Sequence, residues 1–224
     1  NVTYYDADGT PKTCQSATKV TNTPDVEGGN TITWGKPGMT TWYAVNNSHL
    51  TIGDSADKWT IYVKGDVHLI MMQGSWLCMT GRIEVLPGNS LTIYCDNTSN
   101  SGKLQAWYTQ GGNASIGGSA ESPDSGTITI NSGSVSASSS GSGAGIGSGE
   151  GGSAGDITIN GGIIDAKAVN GGAGIGTGKN GKSATITING CKSLNGLANS
   201  GAFIGSGATS PAGNNVIVNI LGGR

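Results

Sequence analysis

The sequence predicts an all-β chain wound into a right-handed parallel β-helix, a solenoid whose C-terminal coils are about 29 residues long. Three observations predict it. Ile-Gly pairs recur at Ile116-Gly117, Ile146-Gly147, Ile175-Gly176 and Ile204-Gly205, at intervals of 30, 29 and 29. Asn131, Asn160, Asn189 and Asn219 close the short runs TITIN, DITIN, TITIN and VIVN, at intervals of 29, 29 and 30. Of the 41 glycines, 30 follow residue 108, where they punctuate these runs. Glycine-rich chains of low charge are often disordered, but disorder does not produce β-forming runs at a fixed period.

Within each run alternate residues are apolar: Ile128 and Ile130, Ile157 and Ile159, Ile186 and Ile188, Val216 and Val218. Alternation buries one face of a strand and leaves Thr, Asp and Asn on the other. A further strand per coil fits Val135 and Ala137, then Ile164 and Ala166. Three short strands with glycine at the corners let each coil bury its apolar side chains against the next. The expectation is an interior column of Ile128, Ile157, Ile186 and Val216, and a stacked amide ladder of Asn131, Asn160, Asn189 and Asn219.

The N-terminal half follows the same plan with larger side chains. Val67, Leu69 and Met71 fall in register with Leu91, Ile93 and Cys95 at a shift of 24, which turns Cys95 inward as a small hydrophobe. Residues 1–20 read as a hairpin reversing at Asp8-Gly9 and placed to cap the open end of the first coil. The domain division is therefore a cap and linker over 1–30, the linker being 22–30, and the helix over 31–224. Its coils are aromatic-rich over 31–109 and glycine-rich over 110–224. Cys14, Cys78, Cys95 and Cys191 show no metal spacing. Free thiols are favoured over a disulfide framework in a chain that is not cysteine-dense.

The succession WYAVN (42–46), GDVHLIM (65–71), GRIEVLPGNSLTIYC (81–95), then GAGIGSG and DITINGG, is similar to a β-helical repeat module of large surface or secreted proteins of gut Firmicutes. The resemblance covers nearly the whole chain. It implies a bacterial cell-surface or secreted β-helix of carbohydrate-binding or adhesin-like type. The chain, which begins at Asn1 without a signal-peptide stretch, reads as a segment of a larger protein.

Several motifs match in letters and fail in context. Residues 176–183 satisfy GxxxxGK[ST], but a strand follows where a phosphate-binding helix should open, and the coil before carries Ala154 where Ser183 stands. The GAGIG runs recur once per coil and so read as corners, not as a dinucleotide fingerprint. They also lack the aspartate of calcium-binding nonapeptides. Asp6-Ala-Asp8-Gly9 starts like an EF-hand loop, but Ala17 stands at its twelfth position. A TxT ice-binding face is interrupted by Asp156. The sequons at Asn1, Asn46, Asn97 and Asn113 matter only in a eukaryotic host.

Charged residues make up 12% of the chain with formal net charge −2, which offers no basic surface for nucleic acid or anionic membrane, and no apolar run approaches a spanning length. Glycosidase chemistry needs two carboxylates flanking the bond, whereas the 14 acids are scattered, many at turns; His68 is expected to face outward alone. No catalytic, cofactor or metal residue is assigned, and no turnover of pectic, mucin or chitin polysaccharides is expected. Binding remains. All five tryptophans and six tyrosines precede residue 109, and aromatic faces are platforms for sugar rings and protein contacts. Trp34 and Trp42 are expected to fill the wider N-terminal coils and cap. Trp76, Trp107 and Tyr108, in polar or loop-like contexts, are the candidate ligand contacts. The functional expectation is a non-catalytic extracellular module recognising glycan or a host surface glycoprotein, joined to other domains of a parent chain. The alternatives are a passive stalk or a host-protein (immunoglobulin) binder.

Overall fold

The computed structural model describes residues 1–21, 29–108 and 110–222, with the Tyr108 side chain outside the described atoms. Most of the expected linker, 22–28, lies outside them as well. The described residues are all-β, without a helix, and the strands stack in parallel as a solenoid.

Three stacks of strands form its sides. The first begins with the leading halves of β4 (Thr31–Val45) and β6 (Trp59–Met71) and the trailing half of β7 (Trp76–Val85). It continues through the two-residue strands β10 (Ile116–Gly117), β13 (Ile146–Gly147), β16 (Ile175–Gly176) and β19 (Ile204–Gly205). The second takes the trailing halves of β4 and β6, then β8 (Ser90–Cys95), β11 (Thr127–Ile130), β14 (Asp156–Ile159), β17 (Ser183–Ile188) and β20 (Asn215–Ile220). The third runs β5 (Leu50–Ile52), the leading half of β7, β9 (Lys103–Tyr108), β12 (Ser134–Ser139), β15 (Ile163–Ala168) and β18 (Ser193–Ala198).

The inward alternation of these strands makes one continuous core. Ile83, Ile116, Ile146 and Ile175 are fully buried in the first stack; Val67, Leu91, Ile128, Ile157 and Ile186 in the second; Leu77, Leu104, Val135 and Ile164 in the third. The shift of 24 between Val67 and Leu91 is the observed register. Trp34 is buried in this core, as expected. Glycine ends each two-residue strand of the first stack, always at positive φ. Gly147 has φ +136°, and a Cβ there would lie 1.9 Å from the Gly176 carbonyl oxygen of the next coil.

Three expectations are corrected. In the last coil Val218, not Val216, lies opposite Ile186, and Asn219 lies opposite Thr187. Leu221 takes the position after Asn189, its N–H bonding the Ile188 carbonyl at 2.9 Å as Asn189 bonds Ile159. The run slips by two residues because the loop before β20 is longer, and a slip of two keeps every side chain on its face, so alternation alone cannot detect it. Second, the hairpin β1 (Val2–Tyr5) and β2 (Pro11–Cys14) forms with Gly9 at φ +81°, but it does not cover the end of the first coil. It lies along the outer flank, with Tyr5 opposite Cys95 in antiparallel pairing; β3 (Thr18–Lys19) pairs with β4 at the solenoid's edge. Third, His68 faces outward but is not alone.

Candidate functional site

The hairpin has a reason to lie on the flank. Ala44, Ile70 and Tyr94 occupy successive rungs of one outward column and are buried beneath it with Cys14. Trp42 and His68 stack at 4.2 Å between centroids, Tyr4 lies 4.9 Å from Trp42 and 4.6 Å from Tyr94, and His68 to Tyr94 is 5.7 Å. Such an apolar and aromatic outer surface needs a cover, and Val2 and Tyr4 of β1 supply it.

Beside this stack, Asp66 accepts hydrogen bonds from Ser90 at 2.6 Å and Thr40 at 3.0 Å, and lies 2.9 Å from His68 Nε2. Burial alone would push its carboxyl up, but the bonds from Ser90, His68 and Thr40 outweigh it and hold the pKa below the ordinary value. The residue types suggest a relay. The order is wrong for one built on serine: Ser90 and His68 both bond the aspartate, so the imidazole does not stand between the serine hydroxyl and the carboxylate. The remaining ring nitrogen meets Tyr94 Oη at 3.2 Å, whose pKa is pushed up to about 12 chiefly by burial, so that phenol stays protonated. The cluster fastens the outer surface.

The structure also brings two acids together around Arg82. Its guanidinium lies 3.0 Å from Glu84 and 3.8 Å from Glu121, and donates to Asn113 Oδ1 at 3.0 Å. Burial drives the Glu84 carboxyl upward in pKa, with Arg82 opposing. Spacing gave no sign of this pair, since the acids are 37 residues apart (121 − 84) and meet only through the loop after β10. A cation bridges them, and Glu84 is buried, so the arrangement clamps that loop. No group of three or more metal-ligating side chains converges among the described residues. All four cysteines are free thiols.

Trp76 and Trp107 fall on the outer face of the third stack. Trp76 lies opposite Lys103, and Trp107 opposite Thr80 and Ser138. The two tryptophans are thus one rung and roughly 13 Å of strand apart. They differ in what they offer. His49 stacks on Trp76 at 4.4 Å and 9°, Lys103 Nζ sits 5.5 Å from its ring centroid, and its indole nitrogen is buried without a partner. Both register neighbours of Trp76 therefore crowd its ring. Trp107 has small neighbours in its column and is 42% exposed. Burial raises the Cys78 thiol pKa beside it, against a hydrogen bond from Trp107. Tyr108 ends β9 opposite Ser139, and its side chain lies outside the described atoms.

A second concavity was not anticipated as a site. The asparagine ladder forms, with Asn160 Nδ2 donating to Asn131 Oδ1 at 2.7 Å and Asn189 Nδ2 to Asn160 Oδ1 at 2.6 Å. It continues the outward column of Tyr94 and floors a groove of about 700 Å³. The hairpin turn, residues 5–9, and the loop 97–100 stand over it. Ser132 fixes the first wall by accepting from the Cys95 N–H at 2.7 Å and donating to the Tyr5 carbonyl at 3.3 Å; Asn100 fixes the second by accepting from the Gly133 N–H at 2.7 Å. The repeat revealed the ladder, whereas the walls come from chain segments remote in sequence.

No family model, curated protein or solved structure matches this chain.

Proposed function

We propose that this chain is a non-catalytic extracellular binding module that recognises glycan or a host surface glycoprotein through the outer face of its third stack. The observation that carries the reading is Trp107. A large indole that a solenoid with small neighbouring side chains could have replaced with serine is instead left 42% exposed on a flat strand surface. A rigid, amphipathic ring there presents contact area at little entropic cost. Lys103 and Gln105 precede it on β9, and Ser134, Ser136 and Ser138 continue the face with small hydroxyls. Trp76 acts through Trp107's surroundings by holding His49 and Lys103 in place, and Tyr108 stands beside it in sequence.

The test is a glycan array run beside pull-downs from mucus and serum, with wild-type chain and Trp107→Ala. Loss of one exposed aromatic anchor should weaken a detected interaction by about 1–2 kcal/mol or more, with circular dichroism unchanged. Retained affinity in Trp107→Ala refutes the assignment. The second reading, a passive stalk, is favoured by the low-relief Gly, Ser and Ala surface of coils 110–222, which offers few anchors. Blank arrays and blank pull-downs would select it.

A further inference from the structure

We infer that the asparagine-floored groove is a second binding site, for an unbranched neutral glycan lying along the solenoid axis. It lies at the corner between the second and third stacks, whereas Trp107 stands near the far end of β9, and it does not depend on that platform. Three properties of the groove select this ligand.

Its length and direction come first. The lining takes one corner from each of five successive coils, represented by Asn97, Asn131, Asn160, Asn189 and Gly222. Asn97 belongs to the wall, so the floor runs from Asn131 to Gly222, and three intervals of about 4.8 Å give roughly 14 Å parallel to the axis. The rung spacing is close to the advance per ring of an extended pyranose chain, so successive sugars meet equivalent groups.

Hydrogen-bonding capacity comes second. A primary amide has two N–H donors and an oxygen with two acceptor sites. In the ladder Asn160 spends one donor on Asn131 and one acceptor site on Asn189, which leaves one of each. A donor and an acceptor side by side at each ladder asparagine is the complement of a hydroxyl, which both gives and receives. The ladder bonds also hold the amides in one orientation, so little entropy is lost on binding. At the hairpin end the half-buried Tyr5 adds an aromatic wall.

The third property is what the groove lacks for other ligands. A peptide strand would need free backbone groups. The N–H groups of Asn131, Asn160 and Asn189 already donate to Ile93, Ile130 and Ile159 at 2.9, 2.8 and 2.9 Å. An anionic chain would meet Asp6 and Asp8 at one end, with Lys192 at the other. An apolar ligand would find Asn and Gly along most of its length.

The experiment titrates the ¹⁵N-labelled chain with cellohexaose, xylohexaose, mannohexaose and hexagalacturonate. It follows the Asn side-chain amides and the Trp107 indole together. At least one neutral hexasaccharide should shift the Asn131, Asn160 and Asn189 amides and leave the Trp107 indole in place; hexagalacturonate should bind at least about tenfold more weakly. Asn160→Ala interrupts the ladder and could perturb the fold, so Gly190→Leu is the decisive variant. A Cβ at this groove-lining position has only the Asn160 carbonyl oxygen nearby, at 3.6 Å, and its φ is not left-handed. Gly190→Leu should therefore fold as wild type and abolish the amide shifts, while Trp107→Ala preserves them. The inference is overturned if no neutral hexasaccharide moves the amides, if Gly190→Leu binds like wild type, or if hexagalacturonate binds equally well. A sugar that moves only the Trp107 indole overturns the groove and leaves the third-stack reading standing.

Discussion

Alanine at Gly147 separates two reasons for a glycine, and the structure supplies a matched control. Gly147 has φ +136° and a built Cβ 1.9 Å from the Gly176 carbonyl oxygen. That oxygen accepts the Ser148 N–H at 3.0 Å, so moving it away breaks an intercoil bond. Gly151, four residues on, has φ +76° and nothing within 4 Å of its Cβ. Gly151→Ala therefore carries only the left-handed backbone cost, about 1–2 kcal/mol. Gly147→Ala adds overpacking of about 1–3 kcal/mol and a weakened hydrogen bond of about 1 kcal/mol, for a total of roughly 3–6 kcal/mol. Urea unfolding followed by far-ultraviolet circular dichroism measures the difference. A solenoid can open coil by coil, so hydrogen exchange of peptides spanning 140–180 should accompany it, with protection lost around Gly147 first. Equal destabilisation by the two variants, within about 0.5 kcal/mol, would refute close coil approach as the reason for the Ile-Gly corner.

Ile157→Ala removes a fully buried side chain stacked between Ile128 and Ile186 and should cost about 2–5 kcal/mol in chemical denaturation, whereas Thr158→Ala, one residue along and facing outward, should cost less than about 1 kcal/mol. Arg82→Met strands the buried Glu84 carboxylate and should cost about 3–5 kcal/mol near neutral pH. Because the folded Glu84 pKa lies above its ordinary 4.5, the folded state holds the proton more tightly. Its contribution to stability is thus fully present below that value and lost as pH rises through the folded pKa. Arg82→Met should accordingly lose more stability than wild type as pH climbs from about 4 to 8, and a second change, Glu84→Gln, should flatten the profile. Melting temperatures across that range decide it, and a variant no more pH-sensitive than wild type would show that Glu84 is not the titrating group.

The solenoid was legible because its signals are local and repeated. Alternation in TITIN and DITIN fixes which side of a strand is buried, and the Ile-Gly and Asn intervals fix the coil length without knowledge of any distant contact. Local periodicity stops at the last coil. A slip of two residues preserves alternation, so only the longer loop before β20 places Val218 and Asn219 where they are.

Outward-facing groups were the least legible, because what covers a surface is not encoded by the strand that bears it. His68 acquires Trp42 and Tyr94 from the neighbouring coils and Asp66 from two residues away on its own strand, and the hairpin settles over that aromatic column, where Val2 and Tyr4 pack. Trp76 and Trp107 read alike in sequence. Cross-strand neighbours separate them: His49 and Lys103 crowd one, and Thr80 and Ser138 leave the other open. The sequence by itself determined the repeat, the buried face of each strand and the asparagine ladder, all of which follow from side-chain period along a single strand. Tertiary structure decided the final register, the seat of the hairpin, the Arg82 clamp and the walls of the groove. Each of these depends on loop length or on pairing between segments far apart in the chain, where period carries no information.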